Sequence, residues 1–266
     1  MLSLFGAKLP IDDEELEWQL ATWKWLIREF GPPRDALVLP SPAFFPPSQN
    51  KGHARVADLF AHVKAAAGMA EGWPCELRAG AADRPILAGN SLLLRHEGAS
   101  APCGTFSVRS ADGAQTVVIT YNPSLADDPT ALIATFGHEL GHYLMSAARS
   151  DPPGGWALHE LHTDIAGIYL GFGLFLANSA RNFSQFQSGG EAGWSARSQG
   201  YLSEGALVTG VAIFQRLGGR DPMEAVPYLK DYLQKDLRNA AKALAKRCPD
   251  MAAAVEAVDL AEYGTG

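Results

Sequence analysis

Cysteine is scarce in this chain: three residues in 266, at Cys75, Cys103 and Cys248. They lie far apart, their number is odd and no C-x-x-C pair occurs, which argues against a thiolate zinc site. A reducing, cytoplasmic setting fits such a set. Basic clusters are equally thin. The net charge is -7, and the densest basic stretch is Lys242-Ala-Leu-Ala-Lys246-Arg247. That is too little for a nucleic-acid footprint. Long apolar runs are missing too: the run over residues 165–177 falls short of the roughly 20 residues needed to span a bilayer. It reads instead as one buried helix, with Gly167, Gly171 and Gly173 permitting close packing. Residues 1–10 are too short and unpunctuated for a signal peptide.

What is present is globular. With 47% hydrophobic and 19% charged residues, the chain has ample core material, and no long polar linker divides it. One domain is expected, with helices and a sheet over residues 1–125, a helix pair over 126–180, and a loop and helical part over 181–266.

Chemistry concentrates in Thr135-Phe-Gly-His138-Glu139-Leu-Gly141-His142-Tyr-Leu-Met145. On a helix of ~3.6 residues per turn, His138 and His142 share a face and can hold one zinc ion. Glu139 is offset by about 100° and stands beside the metal, placed to activate water. Apolar residues on both sides of the trio (Leu132, Ile133, Phe136, Leu140 and Leu144) predict a buried helix, where imidazole and carboxylate groups need partners or a metal. Asp127, Asp128, Pro129 and Thr130 supply the helix start. The plainer alternative is a solvated helix carrying the trio by coincidence.

A catalytic zinc needs a third protein ligand. After the break Pro152-Pro-Gly-Gly155 comes Trp156-Ala-Leu-His159-Glu160-Leu-His162-Thr163-Asp164, read as the start of a second helix. Glu160 and Asp164 are four apart on one face: Glu160 can bind zinc while Asp164 reaches a ring nitrogen of a metal-bound histidine. His159 is the competing ligand, about 100° away. His162, at about 200°, points elsewhere and reads as a surface or hydrogen-bonded residue.

H-E-x-x-H followed by E-x-x-x-D on a later helix resembles the gluzincin metallopeptidases, the group that includes thermolysin. The resemblance covers residues 116–176, with 17 residues between His142 and Glu160. It implies an α+β zincin-like fold, a small mixed sheet over the motif helix. It also implies zinc ligands His138, His142 and Glu160, Glu139 as base, and Asp164 behind His138. The stretch Gly171-Phe-Gly-Leu-Phe-Leu-Ala-Asn178 is similar to uncharacterised bacterial proteins with the same motif. A metzincin pattern fails, because Met145 and Ala148 stand where its glycine and third histidine belong.

Elsewhere the pattern predicts a helix from Asp12 to Phe30, stopped by Gly31-Pro-Pro33, and a second over 53–70. Strands are expected over 36–40, 73–79 and 91–95. A hairpin over 104–121 turns at Asp112-Gly113. The resemblance implies that an edge strand of this sheet pairs with an extended peptide. Residues 181–200 read as a loop, and helices follow from Gly200 to Leu217, over 222–247 (one helix, or two broken near Pro227) and over 251–263.

The expected activity is zinc-dependent hydrolysis of a peptide or protein substrate, with no nucleic acid and no membrane span. The alternative is a binding or regulatory protein that keeps the zinc site without turnover. Hydrolases of this type aim a second donor, His or Tyr, at the oxyanion. His162 points away and Tyr169 lies in the apolar run, so the expected donor is Tyr201.

Overall fold

Asp12 accepts the Glu15 amide at 2.8 Å and opens helix α1 (Asp13–Phe30), which Gly31 ends. The three tryptophans Trp18, Trp23 and Trp25 are buried, so α1 is a core helix. The computed structural model describes residues 8–80, 86–88, 92–94, 103–111, 114–184 and 201–264. Helix α2 (Gly52–Ala67) buries Val56, Phe60 and Val63 on one face, as its spacing predicts.

Strands β1 (Cys75–Ala79), β2 (Ile86–Ala88), β3 (Leu92–Leu94), β4 (Gly104–Ala111) and β5 (Ala114–Tyr121) form two sheets. The larger has the order β1-β5-β4, with β1 parallel and β4 antiparallel to β5. Pairing runs from Gly104↔Tyr121 to Ala111↔Ala114. The hairpin is therefore formed, although Asp112 and Gly113 fall outside the described residues. β5 feeds the motif helix and is the central strand, with β1 and β4 as the outer strands on either side. The β2–β3 ribbon is the second, two-stranded sheet.

Helix α3 (Pro129–Met145) starts where Asp128 accepts the Ala131 amide at 2.9 Å, with Pro129 in its first turn. Every residue from Ala131 to His142 is buried. α4 (His159–Tyr169) crosses it so closely that a Cβ on Gly141 would stand 2.8 Å from the Thr163 carbonyl oxygen. Only hydrogen at this position lets the two helices, and the groups they carry, come together.

Four expectations need correction, the last at Tyr201. Residues 165–177 are not one helix. Gly171 adopts φ +97°, which a side chain would resist, so α4 stops at Tyr169 and α5 (Gly173–Ser184) begins afresh after it. Residues 36–40 form no strand: Val38 donates to Gly171 O at 2.9 Å, tying an extended segment to that turn rather than to a sheet. The loop expected over 181–200 begins late, because α5 reaches Ser184; residues 185–200 lie outside the described set.

Ser203 caps α6 (Glu204–Leu217), so Tyr201 precedes this helix rather than opening it. A 3-10 segment (Pro222–Tyr228) and α7 (Asp231–Arg247) follow, divided near Pro227 as read. The chain closes with α8 (Met251–Glu256) and a 3-10 turn (Leu260–Tyr263). The fold is mixed α+β and mostly helical, with a small three-stranded sheet. No helix among the described residues is long and apolar enough to cross a membrane.

Candidate metal centre

α3 carries His138 and His142 one turn apart, and α4 brings Glu160 against them. One ligand atom from each lies within 4.8 Å of the others. Glu160 Oε2 stands 3.1 Å from His138 Nε2 and 3.5 Å from His142 Nε2. Three donors on a tetrahedron with bonds of roughly 2.0–2.1 Å stand about 3.3–3.4 Å apart, so both edges suit a small divalent ion. This buried group can hold a metal ion.

The imidazoles are aimed from behind. His138 Nδ1 donates to Asp164 Oδ1 at 2.9 Å, leaving Nε2 toward Glu160. His142 Nδ1 donates to Thr163 Oγ1 at 3.1 Å, and the Thr163 hydroxyl in turn donates to His159 O at 2.8 Å. Both histidines thus have a carboxylate or hydroxyl partner on the far nitrogen, the support that metal-binding histidines use. Asp164 does more: its Oδ2 accepts the Leu202 amide at 2.8 Å. One carboxylate therefore orients His138 and anchors the segment that carries Tyr201.

Electrostatics follow from burial. Desolvation opposes charge on His138, but the hydrogen bonds to Asp164 and Glu160 outweigh it and lift the ring to about 10. A proton and a metal cation therefore compete for Nε2. Burial lowers His142. Glu160 is opposed by burial too, yet the His142 charge and the hydrogen bonds from His138, His142 and His159 hold its carboxyl well below the usual range. Burial pushes Glu139 up to about 8.

Glu139 lies beside the three-residue group and outside it. It is 4% exposed, and its buried Oε2 has no hydrogen-bond partner among the described residues. Its Oε1 faces the start of β4, where a Cβ on Gly104 would stand 3.1 Å away and would meet Thr135 Cγ2 at 2.5 Å. An orphaned carboxylate oxygen in such a place is costly unless a ligand uses it.

Tyr201 packs its ring edge-on to His138, with centroids 5.0 Å apart. Burial, and then the Glu160, Glu139 and Asp164 carboxylates, hold its hydroxyl protonated far above the usual range. It remains a hydrogen-bond donor at any ordinary pH.

The rival ligand His159 lies outside the group: its Nε2 meets Glu160 Oε1 at 3.0 Å. His162 does point away, but it is no surface residue. It is 0% exposed, 4.9 Å from Trp18 and 6.3 Å from Trp25, with its nitrogens facing Leu158 O at 2.8 Å and Pro153 O at 2.9 Å. Tyr169 is core, its hydroxyl donating to Gly31 O at 2.8 Å.

Sequence reasoning missed Thr163, although it sits four residues after His159 on the face that turns toward α3. It missed the Leu202 amide, which carries no signal because every residue but proline has one. Gly104 was read only as the start of a strand. No protein-family model, curated protein or solved structure matches the chain.

Proposed function

We propose that the chain is a zinc-dependent hydrolase that cleaves peptide bonds, built on a zincin-like fold in the manner of the gluzincins. One observation carries the reading: two imidazole Nε2 atoms and one Glu160 oxygen converge at 3.1 and 3.5 Å, and an unpartnered Glu139 oxygen lies buried beside them. Two neutral histidines and one carboxylate form the donor set of a catalytic zinc, which leaves a fourth position open. A zinc ion held there supplies water of pKa near 7 and polarises a carbonyl.

The chain's own residues do the rest. Glu139 takes a proton from water and hands it to the leaving amine. A divalent cation nearby favours its ionised form against the burial that raises it. Tyr201, held protonated, donates to the developing oxyanion. Asp164 keeps His138 turned toward the metal and holds the backbone next to Tyr201 in place. β4, the outer strand beside α3, offers backbone groups to an extended peptide. The three cysteines are unpaired, which supports a cytoplasmic setting.

The test is turnover of an unbiased peptide library by the zinc-loaded chain, with Glu139→Gln alongside. Cleavage lost in the variant supports hydrolysis. Zinc binding without turnover in the wild type would replace the reading with a zinc-containing binding protein.

A further inference from the structure

Glu160 has two oxygens, and they have different neighbours. Oε2 is the atom that both imidazoles approach, at 3.1 and 3.5 Å. Oε1 meets His159 Nε2 at 3.0 Å. We propose that His159 is a positioning residue that ties down Glu160 Oε1, so that this carboxylate offers the metal one oxygen and not two. The inference rests on the metal centre described above.

The chemistry turns on ligand count. A carboxylate can bind a cation through one oxygen or both. Two imidazoles and one carboxylate oxygen fill three corners of a tetrahedron and leave the fourth for water or substrate. A second carboxylate oxygen would occupy that space. A donor held against Oε1 prevents this, because the oxygen would have to give up a charge-assisted hydrogen bond to turn inward.

His159 is placed for this by the turn before it. Gly154 and Gly155 have φ +79° and +78°, and Gly155 donates to Pro152 O at 2.8 Å. The chain then winds through a 3-10 turn (Trp156–Leu158), which presents Trp156 O 3.1 Å from His159 Nδ1. His159 O receives the Thr163 hydroxyl that supports His142. The side chain of His159 thus steadies one ligand, and its carbonyl steadies another. The break and the 3-10 turn place the His159 ring, and the first turn of α4 brings its carbonyl to Thr163.

The experiment uses the full chain loaded with cobalt(II), whose visible spectrum distinguishes four from five ligands. Zinc affinity is measured in parallel by competition with a chromophoric chelator. In His159→Phe, which keeps a ring and loses the donor, the spectrum should move from the four- to the five-coordinate form. Zinc affinity should fall 10–100-fold, the usual effect of losing a partner behind a ligand. His159→Gln, whose amide can donate to Oε1, should restore the wild-type spectrum at least in part. A role confined to packing would leave the spectrum unmoved. His159→Ala, which only removes atoms, carries the same test if the Phe ring does not fit. Wild-type cobalt uptake with an unchanged spectrum and affinity in the variants overturns the assignment of His159 and leaves the metal centre standing. A wild-type chain that binds no cobalt overturns both.

Discussion

His142 and Thr163 are joined by a hydrogen bond of 3.1 Å, and it decides which nitrogen of His142 faces Glu160. The Thr163 hydroxyl donates to His159 O at 2.8 Å, so it can only accept from the ring. His142 therefore keeps a proton on Nδ1, and Nε2 is the nitrogen left to offer a lone pair to a metal. Thr163→Val keeps the shape and removes the acceptor. Metal affinity should drop 10–100-fold, while His142→Ala should abolish stoichiometric metal. Metal analysis of the purified proteins checks both, and equal metal in wild type and His142→Ala would end the ligand assignment.

Glu139→Gln should separate binding from chemistry. Glu139 is outside the ligand group, so the variant should hold metal like the wild type. Its peptide hydrolysis should fall by roughly 10²–10⁴-fold, the contribution of a general base. Parallel metal content and steady-state rates provide the check; near-wild-type turnover would remove Glu139 from its role.

Tyr201→Phe keeps the ring that packs on His138 and deletes only the hydroxyl. Losing one oxyanion donor costs about 2.7–4 kcal/mol of transition-state stabilisation. The rate should fall about 10²–10³-fold, with unfolding temperature and zinc affinity unchanged. If the rate stays as in the wild type, the donor lies elsewhere.

Gly141→Ala tests the helix crossing. Its new Cβ would sit 2.8 Å from Thr163 O, so α3 and α4 must separate. Overpacking of this kind costs about 1–3 kcal/mol, more than the gain of up to ~1 kcal/mol from better helix propensity. Denaturant titration should show the loss, and metal affinity should fall with it. A stabilised variant would mean that the crossing has slack.

His162 gives the protein an acid-sensitive element. Burial lowers its pKa to about 3, only partly offset by the carbonyls of Leu158 and Pro153. The unfolded ring titrates near 6.5. A depressed folded pKa means that the contribution is complete above pH 6.5 and is lost as pH falls toward 3. The slope from one such group approaches about 1.4 kcal/mol per pH unit. Unfolding of the metal-free chain, followed from pH 7 to 4, should be correspondingly less pH-dependent in His162→Phe. Identical slopes would show that His162 is not the group responsible.

The local sequence by itself determined the elements whose causes are local. Asp12 and Asp128 cap the helices they precede, the apolar periodicity around His138 buries α3, and i, i+4 spacing puts His138 beside His142 and Glu160 beside Asp164. Those are rules of one helix, and a helix repeats them wherever it packs. The tertiary structure decided whatever joins distant parts of the chain. Gly171 was read as a packing glycine, but its contact with Val38 belongs to a turn that splits one apolar run into two helices. β5 became the central strand because β1, some forty residues earlier, pairs along it. Which of Glu160 and His159 joins the two histidines of α3 depends on how α4 packs against α3: Glu160 falls within the group and His159 outside it. Leu202 reaches Asp164 through a backbone amide, and no side chain announces that. Periodicity tells which face of a helix is buried; only packing tells what that face meets.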